Sequence, residues 1–151
     1  MLSKQEASVV LNLYNAFYDV PKPEPLASLW GSYCHEQVEV FNKLDWEEVT
    51  FDKYMAGYEG WIMSQPATVT YLLPRLFRMI FEEHPENEAI HNVTQDVEFR
   101  LTGGDQRQEL SVRLNVEQKR AIVDAFKFMD NEYFENPDAE TASNVAAALG
   151  L

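Results

Sequence analysis

The side chains in this sequence that could do chemistry are three histidines, one cysteine and several pairs of carboxylates. His35 and Glu39 are four residues apart and would share one face of a helix, whereas the neighbouring Cys34 would point in another direction. His84 and His91 flank an acidic turn, where we expect surface side chains near a helix end. A zinc-type centre needs three or four convergent ligands. We therefore predict no metal site.

The carboxylate pairs Glu47-Glu48 and Glu82-Glu83 could in principle transfer protons, but adjacent carboxylates on an acidic surface are usually only solvated. No serine lies in a nucleophile-elbow motif. The pair Gly103-Gly104 lacks the flanking residues with which glycine-rich loops bind phosphate, and it is typical of a turn. We predict no catalytic residue and no cofactor, and an enzyme that uses a carboxylate or a histidine at an undescribed site stays as an alternative.

The charge of the chain is strongly negative. It contains 25 aspartates and glutamates against 12 lysines and arginines, which gives a formal net charge of −13. Nucleic acid is excluded as a ligand because its binding requires a basic surface. Such a charge can serve solubility alone, or it can attract a basic partner. Residues 82–98 and 129–151 contain acidic residues and no lysine or arginine, so the charge is clustered.

Two acidic segments are the candidate binding surfaces. Residues 45–59 combine carboxylates with aromatic side chains, a composition typical of protein interfaces, and residues 82–88 form an acidic turn. Most of the aromatic residues in the first half, Trp30 and Trp61 among them, are expected in the core. The predicted partner-binding residues are Asp45, Trp46, Glu47, Glu48, Asp52, Tyr58, Glu59, Glu82, Glu83, Glu86 and Glu88.

These residues must be positioned by a fold, and its centre is predicted at Trp61–Glu83. Apolar residues recur there at three- and four-residue steps, which indicates a helix with one broad buried face. Ser64 is the expected N-cap, Pro66 suits the first turn, and Pro74 should kink the helix. The apolar positions are Val69, Leu72, Leu73, Leu76, Phe77, Ile80 and Phe81.

Other helices are predicted from caps and periodicity. The first begins at Ser3, whose capping box with Glu6 precedes an apolar stripe, and ends near Tyr18 before three prolines. The second covers 35–44 with Cys34 turned inward, and Thr50 or Asp52 caps a shorter segment through residue 58. A later helix begins at Asn115 and breaks at 136–138, and the last spans 139–149.

Residues 90–114 permit two interpretations. Ile90, Val93, Val97 and Leu101 have helical spacing, yet residues 97–101 and 110–114 also alternate between apolar and polar as strands do. We favour a helix for the first half, with a small β-hairpin at 96–114 as the alternative. The whole chain is then predicted as one mainly α domain, 1–151, a bundle of about five to seven helices around a Pro-kinked central helix.

We expect a cytoplasmic protein. Charged residues and Pro74 interrupt the best apolar stretch, so no membrane span is predicted. The N-terminal residues lack the basic and apolar regions of a secretory signal. A single cysteine, Cys34, excludes an internal disulfide and is consistent with a reducing compartment.

Several motifs in order resemble a group of small bacterial proteins of uncharacterised function. The group has F-x-D-V-P-x-P at the end of the first helix, then F-x-x-x-x-W, then a helix with Y-x-L-P, and a late helix with spaced Leu, Gln and Phe. This sequence differs by one extra residue between Ser64 and Pro66 and by having one cysteine where relatives often have two. The matching residues are Phe17, Asp19, Val20, Pro21, Pro23, Phe41, Trp46, Ser64, Pro66, Tyr71, Leu73, Pro74, Leu114, Gln118, Ile122 and Phe126.

In size, acidity and helical content the chain also resembles the immunity proteins that bacteria encode beside secreted toxins or contact-dependent inhibition systems. The resemblance implies that it binds and neutralises a cognate toxin, which its charge predicts to be basic. The alternative is a non-enzymatic interaction or regulatory protein, for example a homodimer with a self-complementary aromatic surface.

Overall fold

The computed structural model describes residues 1–134 and 140–151, which contain nine helices and no extended strand. The prediction of a mainly α fold is confirmed, with more helices than expected because the segments 45–64 and 90–114 each form two. The only β-type pairing in this part of the chain is an isolated bridge between Ala27 and Ser64. The helices are α1 (Lys4–Ala16), α2 (His35–Lys43), α3 (Phe51–Ala56), α4 (Tyr58–Met63), α5 (Pro66–Glu83), α6 (Ile90–Thr102), α7 (Arg107–Arg113), α8 (Val116–Glu132) and α9 (Thr141–Ala148).

Side-chain caps fix three helix starts where the sequence predicts them. The Ser3 hydroxyl accepts a hydrogen bond from the Glu6 N–H at 3.1 Å, and the Glu6 carboxylate accepts one from the Ser3 N–H at 2.8 Å. Asn115 and Gln118 form the same reciprocal pair at the start of α8. Thr50 caps α3. Each cap satisfies backbone N–H groups that have no partner inside the helix.

The central helix is α5, in which twelve of eighteen residues are buried, Pro74 among them. Its N-cap is Gln65 rather than the predicted Ser64. Ser64 ends α4 instead, and its hydroxyl donates to the Trp61 carbonyl at 2.6 Å. Phe77 of α5 meets Phe126 of α8 edge to face, with ring centroids 5.4 Å apart. Helices α1, α5, α6, α8 and α9 pack on one another, and we call them the inner scaffold.

Residues 26–63, with α2, α3 and α4, form an overlying layer. Inside this layer α4 packs closely on α2 because Gly57 and Gly60 lie against Phe41. A Cβ atom at Gly60 would lie only 2.2 Å from Phe41 Cγ. The two glycines therefore allow a close helix contact and do not simply loosen the chain before the central helix. The Trp46 ring packs edge to face on Phe41 at 5.0 Å.

The hairpin alternative at 96–114 is wrong, because the segment forms α6 and α7. The apparent alternation does not reflect burial, since Phe99 is 60% and Val112 is 88% exposed. Leu110 and Leu114 are buried, and their spacing of four residues places them on one face of a helical segment. The predicted break at 136–138 and the start of the last helix at residue 139 lie outside the described residues.

No helix in the described ranges combines the length and the apolarity needed to cross a membrane.

Candidate protein-binding surface

The structure places the two predicted acidic segments side by side. The Glu83 carboxylate, at the end of α5, accepts a hydrogen bond from the Phe51 N–H at the start of α3. Arg78 donates to the carbonyl oxygens of Trp46, at 3.1 Å, and Glu47. These bonds hold residues 45–52 against the last turns of α5. We call residues 45–52 and 82–88 together the acidic surface.

Glu47 has a structural role at one edge of the acidic surface. Its carboxylate pairs with Arg75 Nε at 2.7 Å and accepts a hydrogen bond from the Tyr14 hydroxyl at 3.3 Å. The Arg75 guanidinium lies over the Tyr71 ring, 3.9 Å from its centroid. Burial, together with the Glu47 charge, raises the pKa of Tyr14 to about 12. The Glu47 side chain is 55% exposed, but it is already paired with a cation of the chain.

Five carboxylates of the acidic surface are exposed and face solvent without a cationic partner. Within residues 1–134 and 140–151, none of them forms a salt bridge. Glu82 is different, because it lies 3.7 Å from Arg78. Residues 45–59 contain one basic residue, Lys53, and residues 82–88 contain none. The uncompensated carboxylates are Asp45, Glu48, Asp52, Glu86 and Glu88.

The side chains of three predicted binding residues do not contribute to the exposed acidic surface. Trp46 is buried, and its indole N–H donates to the Phe41 carbonyl at 3.3 Å, so the ring belongs to the core rather than to a contact surface. Tyr58 and Glu59 are half-buried on α4. The Tyr58 hydroxyl points to α6, and the Glu59 N–H donates to the Gln37 side chain of α2 at 3.1 Å. These three residues were predicted to bind a partner only because they lie near carboxylates in the sequence.

A partly buried polar network joins the overlying layer to α6. Asp96 accepts hydrogen bonds from the hydroxyls of Tyr54, at 3.1 Å, and Tyr58, at 3.2 Å. Burial raises the pKa of Asp96, although the two hydroxyls act in the opposite direction. Arg100 donates to the carbonyls of Ile62 and Ser64 at the end of α4. The network holds α3 and α4 in place, and both Asp96 and Arg100 have hydrogen-bond partners within the chain.

A cavity of about 430 Å³ opens beside this network, between α4 and α6. Ile62, Met63 and Phe99 supply apolar surface to its lining, and Asp96, Arg100 and Asp105 supply charge. Ile62 and Phe99 are 52% and 60% exposed. The cavity is therefore an open apolar recess with charged groups in its wall.

The residues that sequence reasoning missed are Trp30 and Tyr33, in the loop before α2. They are 90% and 100% exposed, and Leu29 beside them is 40% exposed. We expected most aromatic residues of this half to be buried, and Trp61 and Tyr54 are. One feature of the sequence could have predicted their exposure. Trp30 and Tyr33 lie on either side of Gly31, in a stretch without helical periodicity.

The described residues contain no group of three or more side chains that could hold a metal ion. Cys34, expected to point inward, is exposed, as is His35. His84 stacks on Tyr133 with ring centroids 3.7 Å apart, and His91 lies 5.3 Å from His84. These two histidines are half-buried at the junction of α5, α6 and α8, instead of lying free on the surface.

Comparison with protein-family models, with curated proteins and with solved structures gave no match to this chain.

Proposed function

We propose that this chain is an immunity protein, which binds and neutralises a basic bacterial toxin in the cytoplasm. The observation that carries the proposal is the joining of two acidic segments, about thirty residues apart in sequence, into one surface through Glu83 and Arg78. Five uncompensated carboxylates on that surface favour a cationic partner over a neutral one.

The physical role of such a surface is electrostatic steering. Complementary charge raises the association rate of two proteins by one or more orders of magnitude, and salt screens the effect. The surface carboxylates are therefore expected to control how fast the partner binds more than how long it stays. Blocking a toxin in this way requires no catalysis.

The test uses the purified protein and the purified product of the neighbouring gene in stopped-flow association at low and high salt. The variant Glu48→Lys/Asp52→Lys/Glu86→Lys should slow association by about tenfold or more at low salt. The control Glu109→Lys/Glu117→Lys/Asp124→Lys changes the net charge equally, from −13 to −7, but acts on α7 and α8. It should slow association much less.

Both triple variants should unfold at nearly the wild-type temperature, since all six side chains are exposed. Equal slowing by the two variants would mean that net charge matters and the acidic surface does not. Failure of the neighbouring product to bind, with a clean dimer by light scattering, would favour the self-associating alternative.

A further inference from the structure

The loop before α2 presents aromatic side chains on a fixed base. The Asn42 side chain of α2 bonds both backbone groups of Ala27, accepting from its N–H at 2.8 Å and donating to its carbonyl at 2.9 Å. The Thr68 hydroxyl of α5 donates to the carbonyl of Leu26. Leu26 and Ala27 are buried. The chain therefore enters residues 28–34, which we call the aromatic loop, from a position held by two helices.

Local hydrogen bonds also shape the aromatic loop. The Ser28 hydroxyl accepts from the Trp30 N–H, and the Ser32 hydroxyl accepts from the Cys34 N–H, each at 3.1 Å. Gly31 has a φ of +79°, a left-handed conformation that suits glycine. The backbone is thus turned by its own residues while Trp30 and Tyr33 extend into solvent. Tryptophan and tyrosine side chains are among the residues that most often dominate binding energy at protein interfaces.

The aromatic loop adjoins the cavity between α4 and α6. A methyl group added at Gly31 would lie 4.0 Å from Met63 Cε, and Met63 lines that cavity. The backbone of the aromatic loop therefore lies beside Met63, at the edge of the apolar surface that includes Ile62 and Phe99. A partner placed here meets both protruding rings and a recess.

The charges around this apolar surface are mainly negative. Asp96 and Asp105 line the cavity, and Glu36 and Glu39 are exposed on the adjoining α2. Arg100, the cation among the described residues that line the cavity, donates to carbonyl groups of α4, and the two aspartates leave the cavity wall with one net negative charge. A basic protein complements this pattern. An anionic lipid surface does not, because it would be repelled by the same carboxylates.

The distance to the acidic surface suits a single partner. Helix α2 separates the aromatic loop from Asp45, and its nine residues span about 13 Å. A protein interface of ordinary size covers about 800 Å² on each partner, which corresponds to roughly 30 Å across. One partner can therefore reach both regions.

We propose that the aromatic loop is the anchor of the partner-binding site, where Trp30 and Tyr33 insert into an apolar recess of the same basic protein that approaches the acidic surface. The inference rests on the proposed function and assigns the two surfaces different tasks. The carboxylates speed association, and the rings slow dissociation.

The experiment uses two probes, the purified product of the neighbouring gene and a random peptide library displayed on phage and selected on immobilised wild-type protein at low salt. Selected peptides should combine lysine or arginine with large apolar residues. Trp30→Ala and Tyr33→Ala should each weaken their binding by about 30-fold, and the neighbouring product should dissociate faster by a similar factor. Tyr18→Ala is the matched control, because Tyr18 is an 84% exposed tyrosine elsewhere on the chain. It should change neither the binding of the peptides nor the dissociation rate of the neighbouring product.

Cys34 gives a second measurement, because it is exposed and the only cysteine. A bound peptide should slow its reaction with a thiol reagent in the wild type. Selection of no peptide, or of peptides that bind the Trp30→Ala variant equally well, overturns the proposal. Binding to phosphatidylcholine or phosphatidylglycerol vesicles that depends on Trp30 would also overturn the proposal. A wild-type dimer that dissociates in the Trp30→Ala variant would overturn it as well.

Failure of this inference is distinguishable from failure of the proposed function. If the neighbouring product is slowed by the acidic-surface variant but dissociates from Trp30→Ala at the wild-type rate, the immunity function stands and the anchor is wrong. If basic peptides bind the aromatic loop but the neighbouring product does not bind at all, the loop contacts a different basic protein and the immunity function is wrong.

Discussion

The inner scaffold and the overlying layer of this molecule are built in different ways. In the scaffold, α5 buries twelve of its eighteen residues, and aromatic rings such as Phe77 and Phe126 meet in a continuous core. The layer is made of short helices, and it is held by a close glycine contact and by hydrogen bonds to backbone groups. Both candidate contact surfaces lie in or beside the layer. From this difference we expect the scaffold to supply most of the stability, and under the proposed function the layer would supply recognition.

The largest effect is expected from Phe77→Ala in the scaffold. Phe77 is fully buried between Phe81 and Phe126, so its removal leaves a cavity and should lower the free energy of unfolding by about 3 to 5 kcal/mol. Urea denaturation measures the loss. Leu11→Ala, at a position 61% exposed on α1, is the control and should cost well under 1 kcal/mol. A small loss at Phe77 would break the comparison, because the scaffold would then not dominate stability.

Gly60→Ala should have the next largest effect, and it acts inside the layer. The new Cβ would lie 2.2 Å from Phe41 Cγ, so α4 must move away from α2 at a cost of about 3 kcal/mol. Gly104→Ala is the control, since its Cβ would meet nothing closer than 3.6 Å.

Hydrogen exchange then locates the damage from Gly60→Ala. Amide groups of α2 and α4 should lose protection while those of α5 and α8 keep theirs. Uniform loss across the chain would show that layer and scaffold unfold as one cooperative unit, and the distinction between them would fail.

Local signals in the sequence were enough to predict most of the fold. The pairs Ser3 with Glu6 and Asn115 with Gln118 set helix starts through contacts three residues apart, and the stripe of α5 predicts its own buried face. The errors in the predicted fold also come from local sequence patterns. Apolar and polar residues alternate around Val112 by chance, and the strand pattern there does not describe burial in the folded chain.

The candidate site was harder to predict, because it depends on contacts between distant parts of the chain. Trp46 lies among carboxylates in sequence but packs on Phe41, while Trp30 resembles a core residue in type but projects from a loop. A local sequence pattern does not predict whether a side chain in a loop is buried or exposed. The hydrogen bond between Glu83 and the Phe51 N–H joins the two acidic segments. It likewise depends on the packing of α3 on α5, which lie far apart in sequence.

The smallest expected effect concerns that bond, which tests how strongly the layer is held to the scaffold. Glu83→Ala removes the carboxylate from the start of α3, where a negative charge stabilises the free N–H groups, and should cost about 1 kcal/mol in urea denaturation. Glu86→Ala, an exposed carboxylate of the same turn, should cost almost nothing. A loss at Glu83 as large as that at Phe77 would make the acidic surface part of the stability core. Equal, negligible losses at both glutamates would mean that Arg78 and the hydrogen bonds of Asp96 and Arg100 hold the layer to the scaffold without Glu83.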